Sequence, residues 1–150
     1  MSHATLQSPI GPILVSADDK LLTGVRIGAS DLADAPTPLL REAIAQLAAW
    51  FEGRLVDFDL PLAPLKSPRG EDHSAAICAI PYGETASYGE LARRISSSPR
   101  AIGQACRRNP MPIIIPCHRV LGAGGVIGHY TGGEGITTKL WLLQREQRKG

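Results

Sequence analysis

The residues best suited to chemistry are Cys117 and His118, which are neighbours in the chain. Sulfur attacks carbon as the thiolate, and a free thiol with a pKa of about 8.5 is mostly protonated at neutral pH. A histidine within reach, itself oriented by a carboxylate, could accept the thiol proton. The competing interpretation is a buried, inert cysteine followed by a surface histidine, because neighbouring side chains on a strand point to opposite faces. The pair alone leaves both interpretations open.

The segments on either side of this pair must position it. Ile113, Ile114 and Ile115 are β-branched and predict a buried strand that ends at Pro116. We therefore expect the cysteine to be held rigidly at the rim of the core. The glycine-rich residues 122–128 miss the spacing of a dinucleotide-binding loop, and they predict a turn between strands.

Two short helices are predicted upstream of the cysteine. Ser87 and Glu90 form a capping box, in which each side chain accepts a hydrogen bond from the backbone N–H of the other residue. After a polar turn at residues 96–98, Pro99 begins a second helix that runs to Arg108, before an Asn-Pro pair. This pattern is typical of a helix-turn-helix, although generic helical hairpins share it.

The second of these helices is basic and contains small residues. Five arginines fall within sixteen residues that include no acidic side chain: Arg93, Arg94, Arg100, Arg107 and Arg108. Ala101, Gly103 and Ala105 would let its backbone approach a groove closely, although Gly103 costs the helix about 1 kcal/mol relative to alanine. The patch predicts an anionic partner, with nucleic acid as the first candidate. A solvated helix surface remains the alternative.

The first part of the chain predicts a small sheet and one helix. Residues 5–28 contain short apolar runs broken by turn residues, which is typical of a hairpin. Residues 37–53 predict a helix with Thr37 as the N-cap, Gly53 at the stop and one apolar face. Residues 54–70 are expected to be a linker, followed by a short helix around His73–Ala79.

Composition favours an ordinary globular protein of 150 residues with a net charge of +2. Three cysteines form no CxxC pair, and their odd number without a secretory signal indicates reduced thiols. The longest apolar run, residues 111–117, is far shorter than the ~18 residues of a membrane span. We expect a cytoplasmic protein, nuclear if its source is eukaryotic, without membrane contact or metal. The predicted fold is α+β, with an N-terminal α/β lobe at 1–66 and a mainly helical lobe at 67–150.

Residues 116–120, Pro-Cys-His-Arg-Val, preceded by residues 109–115, resemble the active-site signature of the O6-alkylguanine-DNA alkyltransferases. The resemblance covers nearly the whole chain: residues 8–12, 58–62, 80–88, 130–133 and 141–143 also match family segments. It implies irreversible, single-turnover transfer of an alkyl group from O6-alkylguanine in double-stranded DNA to Cys117. O4-alkylthymine is a further candidate substrate. The resemblance also implies a monomer that needs no cofactor and no obligate protein partner.

The resemblance implies a role for each chemical residue. Cys117 would be the nucleophile, His118 would take the thiol proton through a water molecule, and Glu146 would orient the imidazole. Glu146 is placed by the match over Trp141–Glu146, since the chain looks extended at residues 134–138. Tyr88 would hydrogen-bond the guanine and help to turn its phosphate, and Asn109 would tie the second helix to the active-site strand.

Other residues are expected to contact substrate and DNA. Tyr130 would wall the base, the Thr131 N–H would face O6, and Arg119 and Val120 would belong to the substrate site. Arg100 would fill the stack vacated by the flipped nucleotide. The remaining DNA contacts fall to Ala101, Gly103, Ala105, Arg107 and Arg108.

One segment departs from the family pattern. Before residue 80, relatives usually carry a Phe and a Val-Trp pair, which residues 67–78 lack. Losing such core anchors would cost about 3–5 kcal/mol each unless the packing is redesigned, which puts stability and rigidity between the lobes in question. His73 in this segment is expected to be exposed at a helix start, not a ligand.

Two alternative functions are each opposed by a feature of the sequence. A non-catalytic lesion-binding protein of the same fold would replace the cysteine, which is present here. A helix-turn-helix regulator would be expected to carry an effector domain, and none is visible.

Overall fold

The computed structural model describes residues 2–30 and 36–147. The chain divides into two compact units between Ala63 and Pro64. No helix in these described residues is long and apolar enough to span a membrane.

In the described part of the first unit, a helix packs against a three-stranded antiparallel sheet. The strands are β1 (Ser2–Ser8), β2 (Gly11–Ala17) and β3 (Leu22–Ile27), in that spatial order. Gly11 has a φ of 99°, which a residue with a Cβ adopts at a cost, and this closes the tight turn between β1 and β2. Ala4, Val15 and Val25 pair across the sheet and are buried. The expected hairpin is confirmed and extended by a third strand.

Helix α1 (Pro38–Phe51) supplies the other side of this core. Thr37 caps it by accepting a hydrogen bond from the Leu40 N–H at 3.3 Å, and Pro38 occupies the first helical position. Its buried residues recur at helical spacing: Leu40, Ala43, Leu47 and Trp50. Gly53, with a φ of 80°, follows the helix end. The predicted cap, apolar face and stop are therefore confirmed.

In the second unit, the described residues up to 147 form four helices and a small parallel ladder. Its helices are α2 (Pro68–Cys78), α3 (Tyr88–Arg94), α4 (Pro99–Arg107) and α5 (Ile136–Gln147). Strands β4 (Ala86–Ser87) and β5 (Val120–Leu121) pair in parallel, which joins the start of α3 to the segment after the cysteine. Residues 117–119 and 123–125 form 3₁₀ turns. The two units together confirm the α+β class.

The predicted pair of short helices is present in α3 and α4, which pack against each other. Ser87 accepts from the Glu90 N–H at 3.0 Å and Glu90 accepts from the Ser87 N–H at 3.4 Å, so the capping box is confirmed. Ser98 caps α4 with Pro99 at its first position. The tight turn between them includes Ser96 at a φ of 52°.

The strand predicted over Ile113–Ile115 is wrong. These isoleucines are buried, but residues 112–115 form a tight turn in which Ile113 has a φ of 76° and the Ile115 N–H donates to Met111 O at 2.8 Å. Prolines at 110, 112 and 116 lack the N–H that a strand ladder needs, so an extended run cannot be paired here. Turn residues 122–125 follow β5, but no strand follows them in the described chain, which corrects the expected turn between strands.

Helix α2 begins earlier than predicted. Ser67 caps it by accepting from the Gly70 N–H at 3.0 Å, and Pro68 holds the first helical position, so the expected linker ends before residue 67. His73 is buried in mid-helix, not exposed at a helix start, and its Nε2 lies 3.0 Å from Ser97 Oγ. Arg69 donates to the Ser96 carbonyl at 2.9 Å. Helix α2 lacks the aromatic residues that relatives carry in this segment. It packs through the buried Ile77 and through the polar contacts of Arg69 and His73 to the turn between α3 and α4.

Candidate active site

A cavity of about 600 Å³ lies beside α4 in the second unit. Cys117 and Tyr88 line it, and the loop between β5 and α5 contributes His129, Tyr130 and Thr131. Helix α4 supplies the remaining wall: Pro99, Arg100, Gly103, Gln104, Cys106 and Arg107. A volume of 300–1,000 Å³ is typical of small-molecule sites, so the cavity has room for a nucleobase.

Asn109 holds Cys117 in place at this cavity. Cys117 is 5% exposed, and Asn109 Nδ2 donates to its Sγ at 3.2 Å and to the Ile115 carbonyl at 2.8 Å. Asn109 Oδ1 also accepts from the Met111 N–H at 2.9 Å. One amide side chain therefore fixes both the proline-rich turn and the sulfur. The predicted link from the end of α4 to the active-site segment is present, although that segment is a turn.

Burial raises the pKa of the Cys117 thiol, while the Asn109 hydrogen bond and the positive charge of Lys139 oppose that increase. The resting sulfur is therefore a thiol at neutral pH. A proton acceptor is needed at the moment of attack.

The imidazole of His118 faces a carboxylate. His118 is fully buried, and its Nε2 lies 2.6 Å from Glu146 Oε2. Burial lowers the pKa of His118 despite this partner. Burial raises the pKa of Glu146, but hydrogen bonds from His118 and Arg119 outweigh that effect and leave it below its usual value. A neutral imidazole beside an ionised carboxylate donates its Nε2 proton, so Nδ1 is the basic atom.

Arg119 is not at the cavity, which differs from its expected place in the substrate site. Its Nε donates to Glu146 Oε1 at 2.9 Å, Nη2 donates to Oε2 at 2.9 Å, and Nη1 donates to the Ile80 carbonyl at 2.7 Å. The Gly83 N–H adds a hydrogen bond to Glu146 at 3.2 Å. Because a buried guanidinium needs an acceptor for its charge, Arg119 lies against the carboxylate and holds it.

Val120 was also expected in the substrate site, but it does not line the cavity. It is fully buried, because its position in β5 points the side chain into the core. Its carbonyl accepts a hydrogen bond from Lys139 Nζ at 2.7 Å.

Sequence reasoning missed Lys139. This lysine is completely buried, and its Nζ lies 6.0 Å from the centre of the Tyr88 ring. Burial lowers its pKa, and its charge in turn lowers the pKa of Cys117. Lys139 shares one face of α5 with Leu142 and Glu146, at three- and seven-residue spacing. This spacing was the available signal in the sequence, because a lysine on the buried face of a helix is expected only with a partner for its charge.

The predicted DNA residues divide into two groups. Arg100, Gly103 and Arg107 border the cavity, whereas Ala101, Ala105 and Arg108 lie on α4 or at its end without lining it. All three arginines are exposed. Outside its own helix backbone, a Cβ at Gly103 would meet the Tyr88 ring first, and only at 4.0 Å. Packing within the protein therefore does not require a glycine at this position.

Tyr130 and Thr131 lie at the cavity as expected. Burial raises the pKa of Tyr130 well above its usual value, so its phenol stays protonated. His129, Gln104 and Cys106 also line the cavity and were not predicted. No group of three His, Cys, Asp or Glu side chains in residues 2–30 and 36–147 could hold a metal ion.

These features define a class of protein: an α+β chain whose helix-turn-helix borders a cavity lined by a cysteine, with the next residue, a histidine, paired with a buried glutamate. Family models agree with that class. The 6-O-methylguanine DNA methyltransferase DNA binding domain matches residues 71–148, and the ribonuclease-like domain of the same family matches residues 1–64. The chain belongs to the 6-O-methylguanine DNA methyltransferase family.

Individual relatives match over almost their full lengths. The methylated-DNA–protein-cysteine methyltransferase of Methanosarcina acetivorans is 41% identical, with 97% of this chain and 98% of the relative aligned. The Mycobacterium leprae protein of that name is 36% identical, over 97% of this chain and 92% of its own.

Two solved structures are similar in fold. Mycobacterium tuberculosis OGT in complex with DNA superposes with a TM-score of 0.85 at 38% identity, over 98% of this chain and 93% of its own. The Pyrococcus kodakaraensis O6-methylguanine-DNA methyltransferase gives a TM-score of 0.61 at 25% identity, over 98% of this chain and 99% of its own.

Proposed function

We propose that this protein repairs DNA by transferring the alkyl group of O6-alkylguanine irreversibly to Cys117. The observation that carries the proposal is the position of the Cys117 sulfur in a cavity of nucleobase size beside an arginine-bearing helix. Family membership and the relatives' names support the same reaction.

Helix α4 is proposed to lie in the minor groove of double-stranded DNA. Its exposed arginines would neutralise phosphates, and its small residues would permit close backbone approach. Arg100 borders the cavity, where its side chain would fill the gap left by a flipped nucleotide. Flipping costs a few kcal/mol and less for a poorly paired base, which favours the alkylated guanine over an intact one.

Inside the cavity, Tyr88 would hydrogen-bond the guanine ring while Tyr130 walls the base. The sulfur of Cys117 attacks the alkyl carbon. As the carbon–sulfur bond forms, the bond from carbon to O6 breaks and its electron pair goes to O6. The Thr131 N–H would stabilise the charge that develops there.

His118 is proposed to take the thiol proton on Nδ1 through a water molecule. Its Nε2–H is fixed by Glu146, which Arg119 holds in turn. The charge of Lys139 would favour the thiolate as it forms. The thioether product has no evident route back to the thiol, so each molecule acts once. We further propose that the protein acts as a monomer and that O4-alkylthymine is a second candidate substrate.

The test is incubation of the reduced protein with a duplex that contains one O6-methylguanine, followed by intact mass spectrometry. We expect a gain of one methyl group and none with an unmodified duplex. Lesion binding without transfer would support a non-catalytic lesion-binding protein instead. Binding without preference for the lesion would support a helix-turn-helix regulator.

A further inference from the structure

A second thiol lines the cavity and has no part in alkyl transfer. Cys106 lies on α4, one turn after Gly103 on the wall of the cavity, and is partly exposed. All three cysteines of the chain are free in the structure. The third, Cys78, is exposed and does not line this cavity.

One asparagine links the backbone of Cys106 to the acceptor sulfur. The Asn109 N–H donates to the Cys106 carbonyl at 3.4 Å, and Nδ2 of the same asparagine donates to Cys117 Sγ at 3.2 Å. Cys106 and Cys117 both line the cavity, and the rings of Tyr88 and Tyr130 line it with them. The two cysteines therefore belong to the wall of one cavity, and Asn109 is hydrogen-bonded to both.

The positions of both cysteines in the chain favour a bond between them. Cys106 is next to the last residue of α4, and Cys117 begins a 3₁₀ turn. Because helix ends fray, the backbone at Cys106 adjusts to the geometry that a disulfide requires more easily than the backbone at Cys117, which Asn109 holds. Only ten residues separate the two cysteines in the chain, and a loop that short is closed readily.

We propose that Cys106 and Cys117 form a reversible disulfide when a hydroperoxide enters the cavity. The Cys117 thiolate attacks the peroxide, the O–O bond breaks, and Cys117 becomes a sulfenic acid with release of hydroxide. The Cys106 thiolate then attacks that sulfur, and hydroxide leaves. In total, two thiols and one hydrogen peroxide give one disulfide and two water molecules.

This disulfide would protect the acceptor as well as block it. A sulfenic acid without a second thiol is oxidised further to a sulfinic acid, which thiol reductants do not reverse. With Cys106 beside it, Cys117 is held in a form that a dithiol reductant returns to the thiol. Burial raises the pKa of Cys106 to about 12, so we expect the second step to quicken as pH rises.

The experiment uses the full-length protein with Cys78→Ser, which removes the exposed thiol. After hydrogen peroxide treatment, we expect intact mass spectrometry to show a loss of two hydrogen atoms. Peptide mapping without reductant should show residues 106 and 117 linked, and dithiothreitol should restore the original mass. A product that gains two oxygen atoms on Cys117, with no linked peptide, would overturn the proposal.

A matched variant adds Cys106→Ser to this protein, with its melting temperature measured to establish folding. We expect the same peroxide dose to add two oxygen atoms to Cys117, and dithiothreitol not to remove them. An identical response of the two proteins would contradict the proposed role of Cys106. Because the readout is a mass and a linked peptide, the result stands apart from whether alkyl transfer occurs.

Discussion

Gly128 gives the position of Tyr88 a direct test. A Cβ built at Gly128 lies 2.7 Å from Tyr88 Oη, 3.1 Å from Cε2 and 3.3 Å from Cζ. Ordinary contact begins near 3.4 Å, so in Gly128→Ala the phenol oxygen must move by about 0.7 Å. A displacement near 1 Å at a reacting centre can cost about 10²-fold in rate. We expect the single-turnover rate of methyl transfer to fall roughly 10- to 100-fold.

Two companion variants separate this effect from a general loss of packing. Gly89→Ala adds the same methyl group next to Tyr88 in the chain, where the nearest neighbour is the flexible end of Arg93 at 3.4 Å, and should leave the rate nearly unchanged. Tyr88→Phe removes the atom with the worst clash, so Gly128→Ala should cost less in that background. Equal losses in both backgrounds, or no loss with Tyr88 intact, would refute the reasoning.

Three further predictions concern the buried charges and His73. Lys139→Met removes the positive charge that lowers the pKa of Cys117, so the pH–rate profile should shift to higher pH; an unshifted profile would argue against that role. Arg119→Met breaks a buried ion pair and should lower the free energy of unfolding in urea by about 3–5 kcal/mol, whereas a loss below about 1 kcal/mol would contradict the proposed pairing. Burial lowers the pKa of His73, so the folded state binds this proton less readily than the unfolded state. Stability should therefore be retained above pH 6.5 and fall below it, and His73→Gln should weaken that fall; equal pH dependence in urea titrations of both proteins would count against this account.

Local sequence signals were sufficient to predict where a helix begins if the helix starts with an N-cap residue. Thr37 and Ser87 could be recognised because an N-cap depends on residues three positions apart. The same signature at Ser67 and Pro68 was overlooked because nearby prolines suggested a linker. Helix starts are thus encoded locally even where the following residues are polar.

The segment before the cysteine was predictable in burial but not in conformation. Apolar, β-branched residues predict that a segment is buried, and they do so whether it forms a strand or a turn. The proline spacing around Ile113 removes ladder donors, and the Asn109 side chain supplies hydrogen bonds that stabilise the turn. That partner lies outside the segment, so periodicity within it could not decide the conformation.

The site was predictable to the extent that a motif places its residues. Cys117, Tyr130 and Thr131 lie together at the cavity, and His118 pairs with Glu146. Neighbouring positions in a motif do not indicate where each side chain points. For this reason Arg119 was assigned to the substrate cavity, whereas its side chain lies against Glu146. Lys139 could be recognised as buried only if the buried face of α5 had been identified first.

The most direct measurement is the location of the methyl group after one turnover with an O6-methylguanine duplex. Peptide fragmentation should find one methyl on Cys117, none on Cys78 or Cys106, and none in a folded Cys117→Ser variant. A methyl group on another residue, or undiminished demethylation by Cys117→Ser, would contradict the central claim that this sulfur is the acceptor.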